Sequence, residues 1–214
     1  VLNNKRIKKF TERDPAQIEW DSMGVEIVIE STGIFTKKEQ AEKHLSDITK
    51  KVIISAPATD EDLTIVLGVN EDQYDPIIHH IVSNASCTTN CVAPMVKILN
   101  DNFGVKYALM STIHSFTNDQ SVLDHPHSDL RRSRTASSNI IPTTTGAAKA
   151  VVQVIPEMKG KIDGMAYRVP TPSVSVTDLT VLLEKETDAT AINQSFESAS
   201  KKSFKGLLEY SDLP

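Results

Sequence analysis

Cysteine is scarce in this chain: there are two, Cys87 and Cys91, four positions apart. That is too little for a disulfide framework, so the expected compartment is reducing and cytosolic. An excess of basic residues is also lacking. The formal net charge of −5 argues against a broad nucleic-acid footprint, which would need Lys and Arg crowded on one face. No apolar run is long enough to span a bilayer, and no secretory signal opens the chain, so no membrane partner is expected. The first residue is Val1 rather than methionine. It begins "VLNNKRIKKF", which reads as a hairpin already in progress, with a turn at Asn3-Asn4 and a short strand after it. The last stretch, "LEYSDLP", has no helix or strand to finish it. Both ends suit a piece of a longer chain, with trimmed mature termini as the alternative.

What is present is the composition of a globular protein, 39% hydrophobic and 24% charged. At 214 residues it can bury one sizeable core or two modest ones. "VEIVIESTG", "KVIISAP", "LTIVLGV" and "HHIVSNAS" are short β-branched runs and read as buried strands. The segment from Lys37 to Leu45 is rich in helix formers. Strands alternating with a helix and polar loops predict part of an open α/β sheet. The texture changes at Cys87. Val92, Met95, Val96, Leu99 and Phe103 fall on one helical face, and Gly104 closes that helix. Pro94 lies near its start, where a missing N–H costs least. Longer strands follow in "KYALMSTIH", "DGMAYRVP" and "SVSVTDLTVLLE", with a helix beginning near Thr145. Long alternating strands with few helices predict an antiparallel sheet. The expected division is therefore 1–86, α/β, and 87–214, α+β. No internal repeat or low-complexity tract is seen.

Cys87 falls where a strand ends and a helix begins. A thiol there feels the positive end of the helix dipole, which favours thiolate, the nucleophilic form. Cys91, one turn on, reads as deeper and as a small packed hydrophobe, and the same buried role is open to Cys87. One C-x-x-x-C without a second pair does not build a zinc site, so no metal is expected. A thiolate nucleophile needs a base nearby. Of six histidines, His114 ends the strand "MSTIH" and opens a polar loop, a suitable place for one. His44, in a charged helix, reads as solvated surface, and His125 and His127 flank Pro126 in a loop. Two further features suit a phosphorylated ligand. "TTTGAAKA" puts hydroxyls and a glycine at a helix N-terminus, although Thr and Gly are also plain caps. "DLRRSR" and the strand residue Arg168 offer guanidinium forks, although a charge run is also an ordinary solvated face.

Together, "SNASCTTNC", "TIHSFTNDQ", "NIIPTTTGAAKAV" and "GMAYRVPTPSVSVTDL" resemble the bacterial-type glyceraldehyde-3-phosphate dehydrogenases, collinearly over essentially the whole chain. The resemblance implies a partial Rossmann-type NAD-binding domain followed by a truncated α+β catalytic domain with a mostly antiparallel sheet. It implies NAD-linked, phosphorylating oxidation of glyceraldehyde 3-phosphate in glycolysis or gluconeogenesis, in a cytoplasmic homotetramer. Cys87 would add to the aldehyde, and His114 would activate the thiol and assist proton transfer. Ser86, Thr88, Thr117, Arg132, Thr145, Gly146 and Arg168 would bind substrate and inorganic phosphate. Arg13, Thr32, Gly33, Phe35, Ser55 and Asn118 would line the dinucleotide. Residues 116–138 correspond to the loop that packs against a neighbouring subunit's cofactor.

The sequence also departs from that pattern. The family's opening G-x-G-x-x-G unit, which holds the pyrophosphate, is absent, as are the acidic residue for the ribose and the C-terminal segment. Ser121 and His125 replace a basic residue and a leucine in the subunit-contact loop. Pro126, where NADP-using forms carry small polar residues, favours NAD, with NADP left open by His125. Three other readings stand beside this one: a cysteine hydrolase, a binding module and an inactive fragment.

Overall fold

A computed structural model describes residues 3–213 of the chain. They form two compact units, one of residues 3–65 with 73–85, the other of 66–72 with 86–213.

The first unit is built on a parallel sheet of β1 (Ile27–Glu30), β2 (Lys51–Ile54), β3 (Leu63–Thr64) and β4 (Ile81–Ser83), in the order β1-β2-β4-β3. Alternation along β1 and β2 turns Val28, Glu30, Val52 and Ile54 inward. Val52, Ile54 and Ile81 form a core with Ala41 of α1 (Lys38–Ala41), flanked by Leu45, Ala56 and Ala58. Each fully buried Val or Ile there stabilises the unit by about 1.5–3 kcal/mol. The opposite face carries Ile27, Ile29 and Ile53 exposed, although parallel sheets usually bury both faces.

The second unit holds α2 (Cys87–Phe103), β5 (Val105–Ser115), β6 (Ile141–Thr143), α3 (Ala147–Val154), β7 (Ile162–Val169), β8 (Val176–Leu183) and α4 (Ala189–Lys201). Its sheet has the order β6-β7-β5-β8. Two of its pairings are antiparallel, but β5 runs parallel to β7 from Ala108↔Ile162 to Ser115↔Val169. The sheet is therefore mixed. Helices α2 and α3 cover one face, and α4 packs on α2. Ala108, Met110, Thr112, His114 and Ala166 are buried, whereas Tyr107, Leu109, Ile113, Met165, Val176 and Leu182 are exposed.

Several expectations need correction. Asn3-Asn4 is a turn with positive φ at both residues, but only an isolated bridge at Lys5 follows, not a strand; Val1 and Leu2 lie outside the described residues. The helix expected from Lys37 to Leu45 is one short turn, α1, continued by a 3-10 turn at Glu42–His44. The strand expected from Leu63 to Val69 stops at Thr64. Beyond it the Asn70 carboxamide accepts the Val66 N–H at 2.9 Å, and Val69 N–H bonds the Val66 carbonyl, which folds the chain into a turn. Pro94 is the eighth residue of α2, well inside it, so the ladder bond to Asn90 is lost. Helix α4 has no counterpart in the apolar pattern, because none of its residues is buried. Its start is marked by Asp188, whose carboxylate accepts the Ala191 N–H at 2.8 Å.

Candidate active site

Ala85, just before α2, is buried with φ +56, a strained conformation for a residue with a Cβ. Ser86 then caps α2: its backbone is extended and its hydroxyl accepts the Thr89 N–H at 3.0 Å. The cap leaves Cys87 as the first helical residue, beside the unpaired N–H groups of the helix start.

Cys87 Sγ lies 3.2 Å from Nε2 of His114, a buried residue near the end of β5. The other ring nitrogen identifies the tautomer. Nδ1 is 2.6 Å from the Ser115 carbonyl, which can only accept, and 3.2 Å from Arg168 Nη1, which can only donate; the shorter contact places the proton on Nδ1. Nε2 is then the basic nitrogen, and it points at the thiol. This is the pairing that a base-activated nucleophile needs.

Arg168, on β7 directly opposite His114, donates from Nη1 to the Ser115 carbonyl at 3.0 Å and to Thr117 Oγ1 at 3.2 Å. It therefore fixes the same carbonyl that orients His114. Burial pushes the Arg168 pKa below the ordinary arginine value, and the positive charge of Arg132 adds to this, against the opposing effects of Cys87 and Asp119. Arg168 Nε is buried without a partner. Arg168, in contact with His114 at 3.2 Å, has a spare donor and a second guanidinium, Arg132, close enough to affect its charge, which together suit an anion.

Arg132 donates from Nη1 to Asp119 at 2.7 Å and from Nε to Thr143 Oγ1 at 3.0 Å. Burial raises the Asp119 pKa, but hydrogen bonds from Arg132 and His127 outweigh it and hold the carboxylate below its ordinary range. Thr145 accepts the Ala147 N–H at the start of α3, and Gly146 caps that helix with open space around it. Thr88 is buried in the first turn of α2.

Cys91 is exposed, not packed. It borders a groove with Pro94, Met95, Phe196, Leu207 and Tyr210. The inward face of α2 is instead made by Val92, Ala93, Val96 and Leu99, so one turn from Cys87 does not lead to the core. His44 is buried, not solvated: Trp20 Nε1 donates to its Nδ1 at 3.2 Å, and its Nε2 meets Glu30 Oε2 at 3.1 Å. His127 is also engaged, with Asp129 N–H on Nδ1 at 2.8 Å and Asp119 Oδ1 3.3 Å from Nε2. Sequence reasoning missed Asp119, Ser115, Glu30 and Trp20. Asp119 sits in the quoted motif "TNDQ", a signal available beforehand; the others have no local one.

The residues proposed for the dinucleotide divide between the units. Thr32, Gly33 and Ser55 are exposed and Phe35 is half-buried, following the carboxyl ends of β1 and β2. Ligands bind at that edge of open α/β sheets, so these residues fit the group. Arg13 is exposed ahead of a 3-10 turn at Pro15–Gln17. Asn118 is an exposed residue of the second unit. Among the described residues, no group of three or more His, Cys, Asp and Glu could hold a metal, and no helix is long and apolar enough to cross a membrane.

Comparison with known proteins accords with this geometry. The family model described as "Glyceraldehyde 3-phosphate dehydrogenase, C-terminal domain" matches residues 86–214, and the corresponding NAD binding domain matches residues 1–38. Glyceraldehyde-3-phosphate dehydrogenase 1 of Bacillus cereus is 60% identical over 214 residues, all of this chain and 64% of the relative. The enzyme of Geobacillus stearothermophilus is 58% identical over the same span, with the same coverage. Glyceraldehyde-3-phosphate dehydrogenase 2 of Streptomyces avermitilis is also 58% identical. The chain thus spans 64% of the length of these relatives. With a cysteine at a helix start, a histidine aimed at it and an arginine in contact with that histidine, all inside the longer match, the chain belongs to the glyceraldehyde 3-phosphate dehydrogenase family.

Proposed function

We propose that the full-length protein oxidises glyceraldehyde 3-phosphate to an acyl phosphate in glycolysis or gluconeogenesis. The observation that carries this reading is the 3.2 Å contact between Cys87 Sγ and the basic Nε2 of His114. Nε2 takes the thiol proton, and the helix start favours the resulting thiolate. The sulfur adds to the aldehyde, and the developing oxyanion is met by the backbone N–H groups at the start of α2 and takes the proton back from His114, giving the neutral thiohemiacetal. Nε2, free again, takes the hydroxyl proton as this adduct becomes a thioester. NAD, when bound, supplies the hydride acceptor. Inorganic phosphate then attacks the thioester, and Cys87 leaves as thiolate.

Arg168, Arg132, Thr117, Thr145, Gly146, Ser86 and Thr88 hold the substrate phosphate and the attacking phosphate. Thr32, Gly33, Phe35, Ser55, Arg13 and Asn118 contact the dinucleotide, and Pro126 favours NAD over NADP. The assembly is a homotetramer. The exposed apolar face of the second sheet supports burial against another copy. Two free cysteines suit the cytoplasm. Residues 1–86 act as the dinucleotide domain and residues 87–214 as the catalytic domain.

The test is iodoacetamide labelling with peptide mapping, alongside NADH formation, both in the full-length protein. Cys87 should label well before Cys91, and Cys87→Ser should abolish turnover. Equal labelling, or turnover by Cys87→Ser, would overturn the assignment. Thioester hydrolysis by the wild type without NAD would favour a cysteine hydrolase instead.

A further inference from the structure

A buried chain of polar groups lies behind the turn that follows β1. We propose that Glu30 and His44 are positioning residues for the dinucleotide, setting the Thr32–Phe35 turn through a hydrogen-bond relay that begins at Trp20. The proposal rests on the NAD-linked reading above.

The side chains of His44 and Glu30 are 6% and 2% exposed. Burying a carboxylate is unfavourable unless every lone pair finds a donor, and here the donors lead to the turn. Glu30 Oε1 accepts the Thr32 N–H at 2.6 Å and also the Thr32 hydroxyl. Thr32 Oγ1 in turn accepts the Ile34 N–H at 3.1 Å. The Glu30 carbonyl accepts the Ser55 N–H at 3.0 Å, which ties in the end of β2. Glu30 Oε2 meets His44 Nε2 at 3.1 Å, and the His44 ring packs T-shaped against Phe35. The rear of the turn is fixed, while its front is open. Thr32, Gly33 and Ile34 are exposed, and a Cβ on Gly33 would meet nothing within 4 Å.

The direction of the relay follows from its first member. Indole N–H only donates, so His44 Nδ1 must accept at 3.2 Å from Trp20. His44 then carries its proton on Nε2 and donates to Glu30. One tautomer satisfies all three side chains, and Trp20 selects it from 24 residues away.

This predicts a specific failure. Glu30→Gln keeps the shape but brings an NH2 group into the network. Facing His44, it opposes the Nε2 proton; facing Thr32, it opposes the turn's own donors. If His44 changes tautomer to accept from Gln, its Nδ1 proton collides with the Trp20 N–H. Trp20→Phe removes that obstacle, so the second substitution should partly repair the first.

The experiment compares wild type, Glu30→Gln, Trp20→Phe and the double variant in the full-length protein. It measures NAD affinity by calorimetry, kcat at saturating NAD, and Cys87 alkylation without NAD. Glu30→Gln should weaken NAD about five- to thirtyfold, the scale of one or two buried hydrogen bonds. Its kcat and alkylation rate should stay within about twofold, because Cys87 and His114 are untouched. The double variant should bind NAD better than Glu30→Gln alone. Unchanged NAD affinity in Glu30→Gln would overturn the proposal, as would a double variant no better than the single. Equal losses in affinity, kcat and alkylation would mean general destabilisation and would also overturn it. Should Glu30→Gln be too unstable to purify, the double variant decides: recovered folding and NAD affinity support the relay, and no recovery overturns it. A wild type that neither binds NAD nor oxidises the aldehyde would bring down the dehydrogenase reading itself.

Discussion

Cys87 and Cys91 are both exposed on α2, yet Cys87 alone is hydrogen-bonded to an imidazole and sits at the helix start. Access is therefore similar, and a difference in their reactivity reports chemistry. His114→Asn removes the group that takes the thiol proton. Cys87 alkylation at neutral pH should then slow while Cys91 alkylation is unchanged, and turnover should fall about 10²–10⁴-fold. Labelling rates of the two cysteines check this, and an unchanged Cys87 rate would remove His114 from the mechanism. Arg168→Ala takes away a guanidinium fork and loosens the Ser115 carbonyl that orients His114. It should raise KM for the phosphorylated aldehyde far more than for a non-phosphorylated analogue. Equal effects on both substrates would leave Arg168 with the orienting role alone.

Elements are held in place by contacts of the same kind. Asp62 joins α1 to β4: one oxygen meets Lys38 Nζ at 2.6 Å, and the other accepts the His80 and Ile81 N–H groups at 2.7 and 2.8 Å. Burial raises the Asp62 pKa, but these partners outweigh it, so the net shift is downward from 3.8. A depressed carboxylate stabilises the fold above its unfolded value and loses that contribution as pH falls through the folded one. Stability should therefore fall below about pH 4, and Asp62→Asn should flatten that limb while costing about 2 kcal/mol near neutrality. Urea titrations between pH 2.5 and 7 measure both. In the second unit, Gly164 lets β7 approach β5: a Cβ there would lie 2.6 Å from the Met110 carbonyl oxygen. Gly164→Ala should destabilise by about 1–3 kcal/mol, read as a lower denaturation midpoint. An undiminished midpoint would mean that the strands separate without penalty.

At the scale of the molecule, each sheet has one buried and one open face. Ile27, Ile29 and Ile53 are exposed on the first sheet; Tyr107, Leu109, Ile113, Met165, Val176 and Leu182 are exposed on the second. Apolar surface of that kind drives association. The 214-residue chain alone should bind a hydrophobic dye and elute from size-exclusion columns as mixed oligomers. A monodisperse monomer would contradict this. In the full-length protein, Leu109→Lys places a charge within the second face and should shift the assembly towards smaller species in sedimentation velocity. An unchanged mass would assign the assembly to a different surface.

The sequence by itself determined the strand-to-helix junction at Cys87, because its signals are local: a β-branched run before it and apolar residues at helical spacing after it, through Leu99. It also carried His114 and Arg168 as candidates, since a polar residue in an apolar strand stands out within a few positions. Their meeting was not legible. His114 and Arg168 are 54 residues apart and touch only because β5 and β7 run parallel in register. Strand direction depends on the path between the strands and not on alternation within either one, so an antiparallel sheet was expected there. His44 shows the same limit. Its neighbours Glu42 and Lys43 made it look solvated, whereas Trp20 and Glu30 enclose it from other segments. Cys91 went the other way, exposed because the core lies beneath Val92 and Val96. Local chemistry selects an element and its ends; burial, tautomer and partner are decided by whatever tertiary folding brings alongside.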